Sequence, residues 1–311
     1  MSKEEKAVEN EALRPTNDLL FKRIYGKEGS EQITEAFIKA FLGLEVTIEK
    51  LEDSEPLDIT SVDTKAGVLD VLATEKNGTK IDIEMQVDNY TGVEERFAFY
   101  GLELFTEQFK KGGIYTQANK TLGILILKGD YSKYAKYKDY MLTWQLREKK
   151  YHDLILTDKI ELCIISLEKI KKKIASGEIS DKEKIAIWTK FLLTPQALKE
   201  EEMDANKEIK EANEKYQEMI ADDETRRLAV KRHLALMEMA AAKNDGYQEG
   251  KEEGLKEGKT KGLKEGKEIG LKEGKNERNK EIAKKMLNKN KSIEEIMEFT
   301  DLTEEEIKQL Q

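Results

Sequence analysis

Two acids and an amide lie in a short segment where strand periodicity brings alternate side chains together. The segment Val68–Val87 has the sequence VLDVLATEKNGTKIDIEMQV, and its second half alternates apolar residues with Asp82, Glu84 and Gln86. Strict alternation predicts a strand with one face on the core and one polar face. A solvated sheet surface is the ordinary explanation of a polar face, and a cleft that does chemistry is the alternative.

The loop between the two predicted strands decides which side chains oppose one another. Asn77 and Gly78 are typical of a tight hairpin turn. A two-residue turn would place Asp70 opposite Met85 and separate it from Glu84. A three-residue loop with Gly78 in the left-handed conformation would instead set Asp70 opposite Glu84, on the same face. Both loops suit the residues, so the sequence leaves the register open.

Paired carboxylates of this kind suit a divalent cation. Mg²⁺ is a hard ion that proteins hold by one or two carboxylates, with water and substrate phosphate in the remaining positions. Such an ion can lower the pKa of a bound water and stabilise negative charge as a phosphodiester is cleaved. In the second register Asp70 and Glu84, with Gln86 beside them, would form an oxygen-rich site. Hydrolysis of a nucleic acid is therefore one function that the pattern allows, although acids oppose one another on many sheets.

The elements around the hairpin predict an α/β core. Helical spacing of apolar residues predicts helices on both sides of the hairpin, and short apolar runs predict further buried strands. Arg96 and Tyr100 are spaced to project from a common side of one of these helices. Helices are expected over Leu19–Tyr25, Ile33–Leu42, Glu94–Phe109 and Trp188–Leu193, and strands over Thr121–Leu127 and Lys159–Leu167.

A charged and repetitive region follows this core. One long charged helix is expected from about residue 196 to 243, and glycine then recurs at every fourth position from Gly246 to Gly274. Each glycine costs a helix about 1 kcal/mol relative to alanine, which favours a flexible linker. Glycine at every fourth position also lets another backbone approach closely, which favours a self-associating helix. Both interpretations stay open.

The last segment, residues 278–311, has a different pattern. It predicts one helix and then two short helices, the second of them begun by a cap at Thr303. Two short capped helices resemble a helix-turn-helix, whereas the acidic final helix favours a small helical appendage that enters no groove of DNA.

Composition excludes several classes of protein. The net charge of −9 argues against a protein that coats nucleic acid by bulk charge, but it leaves room for a locally basic cleft. A single cysteine, Cys163, excludes an internal disulfide, and with only two histidines a zinc site is not expected. The apolar runs are far shorter than the roughly 20 residues that a bilayer requires, and residues 1–15 lack the pattern of a secretory signal. We therefore expect a cytoplasmic protein that contacts no membrane.

The order of these features resembles a known superfamily. A first helix, Asp70 on a strand, a hairpin, Glu84-Met85-Gln86 and a helix with Arg96 are similar to the PD-(D/E)XK nucleases. More closely, NDLLFKRIYG, IDIEMQV and RFAFYGLELF resemble the recombination-promoting nucleases and transposase-like proteins of bacteria, over roughly residues 13–195. The resemblance implies a restriction-endonuclease-like core, Mg²⁺ or another divalent metal as cofactor, and DNA as substrate.

The resemblance also assigns the central roles by position. Asp70 and Glu84 would be the metal ligands and, together with Gln86, the catalytic residues. Gln86 stands where the wider superfamily has a lysine, which can position water and stabilise charge, while a neutral amide can only hydrogen-bond. The narrower family resembles this chain in using glutamine there, so we expect an active enzyme, and a slow one would be unsurprising.

Accessory roles follow in the same way for residues outside the hairpin. Asp18 would either approach the metal or only cap its helix. Arg96 and Tyr100 would contact a phosphate, and packing of their helix against the sheet explains Tyr100 equally well. Asp82, at the turn end of its strand, is expected to face solvent.

The sequence as a whole predicts an α/β protein with a PD-(D/E)XK restriction-endonuclease-like core and a long helical C-terminal extension. The predicted function is Mg²⁺-dependent DNA endonuclease activity linked to DNA recombination or mobile elements. The alternative is a non-catalytic scaffold that binds partners through the glycine repeat. We expect a homo-oligomer through the C-terminal helices. The predicted regions are a polar leader at 1–12, the nuclease-like domain at 13–195, the charged extension at 196–243, the glycine repeat at 244–276 and the helical C-terminus at 277–311.

Overall fold

The computed structural model describes residues 3–52, 70–87, 92–109, 114–129 and 131–310. These ranges contain eleven α-helices and six β-strands, and the strands form one mixed sheet. The chain divides into two compact units, Met1–Lys243 and Asn244–Gln311. The sheet, the helices around it and a long C-terminal helix confirm the predicted α/β class.

The elements have the following bounds. The strands are β1 (Ile48–Glu52), β2 (Val71–Glu75), β3 (Lys80–Gln86), β4 (Thr121–Leu127), β5 (Met141–Arg147) and β6 (Ile155–Ser166). The helices are α1 (Lys3–Ala12), α2 (Asp18–Tyr25), α3 (Glu31–Leu42), α4 (Val93–Thr106), α5 (Leu167–Ala175), α6 (Lys184–Leu193), α7 (Glu200–Asp204), α8 (Lys207–Ala221), α9 (Asp223–Leu287), α10 (Ile293–Thr300) and α11 (Glu304–Lys308).

The sheet has the strand order β1-β2-β3-β4-β6-β5. The first three strands form an antiparallel meander, whereas β3, β4 and β6 run parallel and β5 pairs antiparallel with β6. Helix α4 lies between β3 and β4 in the chain and so makes the crossover that a parallel pair requires. The carboxyl ends of the three parallel strands therefore meet at one edge of the sheet, and Glu84 and Gln86 lie at that end of β3.

One face of the sheet carries the main core. Ile81, Ile83 and Met85 of β3 join a buried cluster that helices α2, α3, α6 and α8 complete. Aromatic rings connect these helices, with Tyr25 and Phe37 4.6 Å apart at their centroids. Packing of this kind restrains α2, the helix that begins at the candidate residue Asp18.

Helix α4 covers the opposite face of the sheet. Val93 and Phe97 of the helix pack with Leu125 in a second buried cluster. The approach is close because Gly123 has no side chain: a Cβ there would lie 2.7 Å from a methyl group of Leu162 and 3.1 Å from the Phe97 ring. The polar face of β3 therefore lies under a helix rather than in open solvent.

The hairpin has the three-residue loop. Residues pair as Val71 with Ile83, and beyond them the Glu75 N–H donates to the Thr79 carbonyl at 2.9 Å. Gly78 has a φ of +89°, the left-handed conformation that the loop requires of it. This register continues to Asp70 opposite Glu84, so the second of the two alternatives is confirmed.

The region from 196 to 243 differs from the single helix expected there. The chain leaves helical geometry at Asn206 and again at Asp222, which gives α7, α8 and the start of α9. Ile209 and Tyr216 of α8 and Ala229 of α9 are buried in the same core as the sheet. These helices thus belong to the compact unit that carries the candidate site.

The second unit contains the glycine repeat within α9 and two short helices. The repeat is helical, and a Cβ added at any glycine from Gly246 to Gly274 would meet no neighbouring atom within 4 Å. Capping boxes begin α10 at Ser292 and α11 at Thr303, as expected for the latter. The second unit has a small hydrophobic core of its own, which includes Ala283 and Ile296. Within the described ranges, none of the helices has the length and apolar character needed to span a membrane.

Candidate active site

Asp70 and Glu84 are fixed side by side by reciprocal backbone hydrogen bonds. The Asp70 N–H donates to Glu84 Oε1 at 3.2 Å, and the Met85 N–H donates to Asp70 Oδ2 at 2.8 Å. Each carboxylate therefore closes the hairpin beyond the last strand pair, where Asp70 has already left β2. One oxygen of each carboxylate thus accepts a backbone hydrogen bond that fixes the side chain. The two predicted metal ligands lie together as a result.

Gln86 is joined to helix α4 through Arg96. Arg96 Nη2 donates to Gln86 Oε1 at 2.8 Å and lies 4.0 Å from Glu84 Oε2. The Arg96 guanidinium also lies over the ring of Tyr100, 5.8 Å from its centroid. Tyr100 is buried, whereas the Arg96 side chain keeps 39% of its exposure. The structure thus places Gln86, Arg96 and Glu84 in one group, with Tyr100 packed behind the arginine.

Asp18 does not cap its helix. The cap is Asn17, whose Oδ1 accepts hydrogen bonds from the Leu19 and Leu20 N–H groups at 3.1 and 3.4 Å. Asp18 forms an ion pair with Arg232 of α9 through Oδ2, and its Oδ1 is buried with no hydrogen-bond partner among the described residues. The capping interpretation of Asp18 is therefore wrong, and its negative charge, although paired with Arg232, still contributes to raising the pKa of Asp70.

Two cations of the site were not identified from the sequence. Lys22, four residues after Asp18 on α2, is only 7% exposed, and burial lowers its pKa although Asp70 opposes that effect. Arg232 lies 214 residues beyond its partner Asp18. The i,i+4 spacing of Asp18 and Lys22 is a signal that could have identified the lysine. No local pattern points to Arg232, because the contact depends on how α9 packs.

The acids hold more negative charge than their surroundings favour. Burial, and then the charges of Glu84 and Asp18, raise the pKa of Asp70 well above its usual range. Burial, and then the charge of Asp82, raise the pKa of Glu84 to about 8. Raised carboxyl pKa values mark a site that binds either protons or a cation in place of them.

Asp82 is fully buried, with 0% exposure, and not solvated as expected. Both of its carboxylate oxygens lie without a hydrogen-bond partner among the described residues. Burial, followed by the charge of Asp70, raises the pKa of Asp82 well above its usual range. The expectation was wrong because alternation identifies a polar face but not the helix that covers it. Asp82 pairs in register with Gly123. Because Gly123 has no side chain, there is room above the sheet for Asp82 and for Phe97 of helix α4.

The residues present fit a hard divalent cation. Among the described residues, no group of three or more histidine, cysteine, aspartate or glutamate side chains is arranged to hold a metal. Mg²⁺ needs only one or two carboxylates when water and phosphate complete its coordination shell, and Asp70 and Glu84 supply two. Their donors are all oxygen, and their raised pKa values show that a positive charge beside them would be stabilising.

A mixed sheet whose central hairpin presents Asp70, Glu84 and Gln86 at one edge defines a nuclease-like α/β protein. A family model described as PD-(D/E)XK nuclease family transposase matches residues 15–246, which is more than half of the chain. The chain therefore belongs to this family, and a nuclease- or transposase-related role follows. No curated protein and no solved structure matches it significantly. The matched range includes Lys22 and Arg232 as well as the hairpin.

Proposed function

We propose that the protein is a Mg²⁺-dependent endonuclease that hydrolyses phosphodiester bonds of DNA. The observation that carries this proposal is the pair of Asp70 and Glu84, which reciprocal backbone hydrogen bonds hold at the carboxyl edge of the parallel strands. Family membership supports DNA as the substrate and a divalent metal as the cofactor. A role in DNA recombination or mobile-element activity, and a cytoplasmic location, are further parts of the proposal.

In this mechanism the side chains have separate tasks. Asp70 and Glu84 would hold the ion, which would supply Lewis-acid stabilisation and a water of lowered pKa. Gln86 is neutral and contributes orientation, because its Oε1 accepts a hydrogen bond from Arg96. Arg96, the most exposed of these groups, faces the position where a phosphate of the substrate would add its negative charge.

Cleavage of supercoiled plasmid tests the proposal. Purified full-length protein should nick the plasmid in Mg²⁺ and not in EDTA, and Asp70→Asn and Glu84→Gln should each abolish nicking. Glu103→Gln is the matched control, because it removes an exposed acid from α4. Equal cleavage by Glu84→Gln and the control would refute the proposed site. Absence of cleavage by folded protein in every divalent metal would favour the alternative, a non-catalytic scaffold.

We also propose that the chain self-associates through the glycine repeat. The support is the open glycine surface of α9, where a Cβ at any of these positions meets nothing within 4 Å. Exposed Leu255, Leu263 and Leu271 recur along the same stretch and would be covered in a dimer. Because a repeat of four exceeds 3.6 residues per turn, the glycine line drifts about 40° per repeat, and paired helices would wrap right-handed.

The mass of the full chain in solution tests self-association. Light scattering should give a multiple of the chain mass, 35.7 kDa. Gly258→Gln combined with Gly262→Gln should return the protein to a monomer, because side chains would then separate the backbones. Lys259→Gln with Lys261→Gln is the control on the same turns and should leave the mass unchanged. A monomeric wild-type chain would contradict the proposal.

A further inference from the structure

Position 86, where the wider superfamily has a lysine, holds a neutral residue in this chain. Gln86 is neutral, and its side-chain oxygen is occupied by Arg96. Cleavage of a phosphodiester builds negative charge on phosphate oxygens beside Asp70 and Glu84, which are themselves acidic. A preorganised positive group aimed at that charge is worth more in a buried site than in water. A buried cation from another element, aimed at the hairpin, would supply that charge.

Lys22 is such a cation, and its helix is held against the hairpin. The last turn of α2 lies on the backbone of Asp70: a Cβ at Gly26 would lie 3.5 Å from the Asp70 carbonyl oxygen and 3.4 Å from Val71. The start of the same helix is tied to α9, because Asn17 Nδ2 donates to the Ala229 carbonyl at 3.3 Å. Lys22 lies between these two attachments, so the helix offers it to the acids in one fixed position.

The ion pairs around Lys22 indicate which acids its positive charge acts on. Asp18, one turn earlier on the same helix, already has the guanidinium of Arg232. Among the carboxylates that act on Lys22, Asp70 has the strongest effect, followed by Asp18 and then Glu84. A buried lysine is costly, and an apolar residue would pack α2 as well. Its charge is therefore directed to the two residues that hold the metal in the proposed function.

We propose that Lys22 of α2 supplies the ammonium group that position 86 lacks, as a catalytic residue of the nuclease site. It donates hydrogen bonds to the attacking water and to a non-bridging oxygen of the scissile phosphate. The water oxygen bonds to phosphorus as the bond from phosphorus to the leaving oxygen breaks. The water loses one proton to solvent and the leaving oxygen gains one from solvent, so Lys22 remains an ammonium group throughout. The inference rests on the proposed nuclease activity.

Lys22→Met, Lys22→Arg and the control Lys39→Met test this role in the full-length protein. Met keeps the length and apolar stem of lysine without its charge, and Lys39 is an exposed lysine of the neighbouring helix α3. Plasmid cleavage at saturating Mg²⁺ should fall about 100- to 1,000-fold in Lys22→Met, the usual effect of removing one transition-state donor. Lys22→Arg should keep part of the activity. Binding of Mn²⁺, measured calorimetrically, should not weaken, because loss of the Lys22 charge removes its repulsion of the ion.

Each result decides between distinct explanations. Cleavage by Lys22→Met at the rate of Lys39→Met would overturn the role, and so would a loss of Mn²⁺ affinity as large as the loss of cleavage. If Lys22→Met does not fold, Lys22→Ala leaves a space that ethylammonium can enter. Restored cleavage with ethylammonium but not with tetramethylammonium, which has no N–H, would support the role, and no restoration in a folded, Mn²⁺-binding protein would overturn it. Failure of the wild-type protein to cleave would refute the nuclease proposal instead.

Discussion

Replacement of Glu84 by glutamine should stabilise the metal-free protein while it abolishes metal binding. Glu84 is 5% exposed, and burial followed by the charge of Asp82 raises its pKa from 4.5 to about 8. Between these two pH values the folded protein retains a proton that the unfolded chain has released. Stability therefore falls as pH rises from about 4.5 to about 8 and is constant outside that window.

The size of the effect follows from the same pKa values. At pH 7 the unfolded carboxyl group lies 2.5 pH units above its pKa of 4.5, and each unit is about 1.4 kcal/mol. The wild-type protein is thus destabilised by at most about 3.5 kcal/mol at pH 7 through this group. Glu84→Gln removes the penalty and keeps an oxygen that can accept from the Asp70 N–H, as Glu84 does at 3.2 Å.

Urea unfolding in EDTA at pH 4.5, 6 and 8 measures this difference. The free energy of unfolding of Glu84→Gln should match that of wild type at pH 4.5 and exceed it increasingly towards pH 8. Glu103→Gln, an exposed acid on α4, should show no such trend. In Mg²⁺ the difference in the free energy of unfolding between Glu84→Gln and wild type should narrow or reverse, because the ion stabilises only the protein that binds it. A variant that is no more stable than wild type at pH 8 would refute the assigned burial and charge of Glu84.

Three further predictions concern the same site. Metal affinity and cleavage rate should rise with pH up to about 8, because Glu84 must lose its proton before it can ligate, and a flat profile from pH 6 to 9 would contradict this. Arg232→Met should destabilise the protein by about 3–5 kcal/mol in urea unfolding, because it leaves the charge of Asp18 buried without its partner. Gly123→Ala should cost about 1–3 kcal/mol and reduce cleavage, because the new Cβ would lie 2.7 Å from Leu162 of β6 and 3.1 Å from the Phe97 ring of α4 and would push the helix away; an unchanged unfolding midpoint would show that both side chains move aside.

Local patterns predicted the hairpin and its acids but left the register open between two loops. The alternation of β3 and the turn residues Asn77 and Gly78 are properties of neighbouring residues, whereas the structure, with Gly78 at a positive φ, decides that Asp70 lies opposite Glu84. Helix α2 and the buried strand β4 follow from helical spacing and from apolar run length for the same reason. These features depend on interactions within a few residues, which is why a sequence can predict them.

Features that depend on distant packing could not be predicted. Asp82 is buried because α4 packs closely against Gly123, and the sequence of the strand itself does not indicate that contact. The contact of Arg232 with Asp18 joins parts of the chain 214 residues apart. The break at Asp222 interrupts a segment whose composition is helical on both sides, and strand β5 is mostly exposed or half-buried, so its residues lack a core pattern.

The most direct test of the account is where a divalent cation binds. Crystals of the full-length protein soaked in Mn²⁺ should show one anomalous peak within roughly 2.0–2.5 Å of oxygens from both Asp70 and Glu84, the range of oxygen ligands to ions of this kind. The same soak of Glu84→Gln should show none. A peak held by other residues, or no peak beside an intact pair of carboxylates, would contradict the assignment of this hairpin as the metal centre of a nuclease.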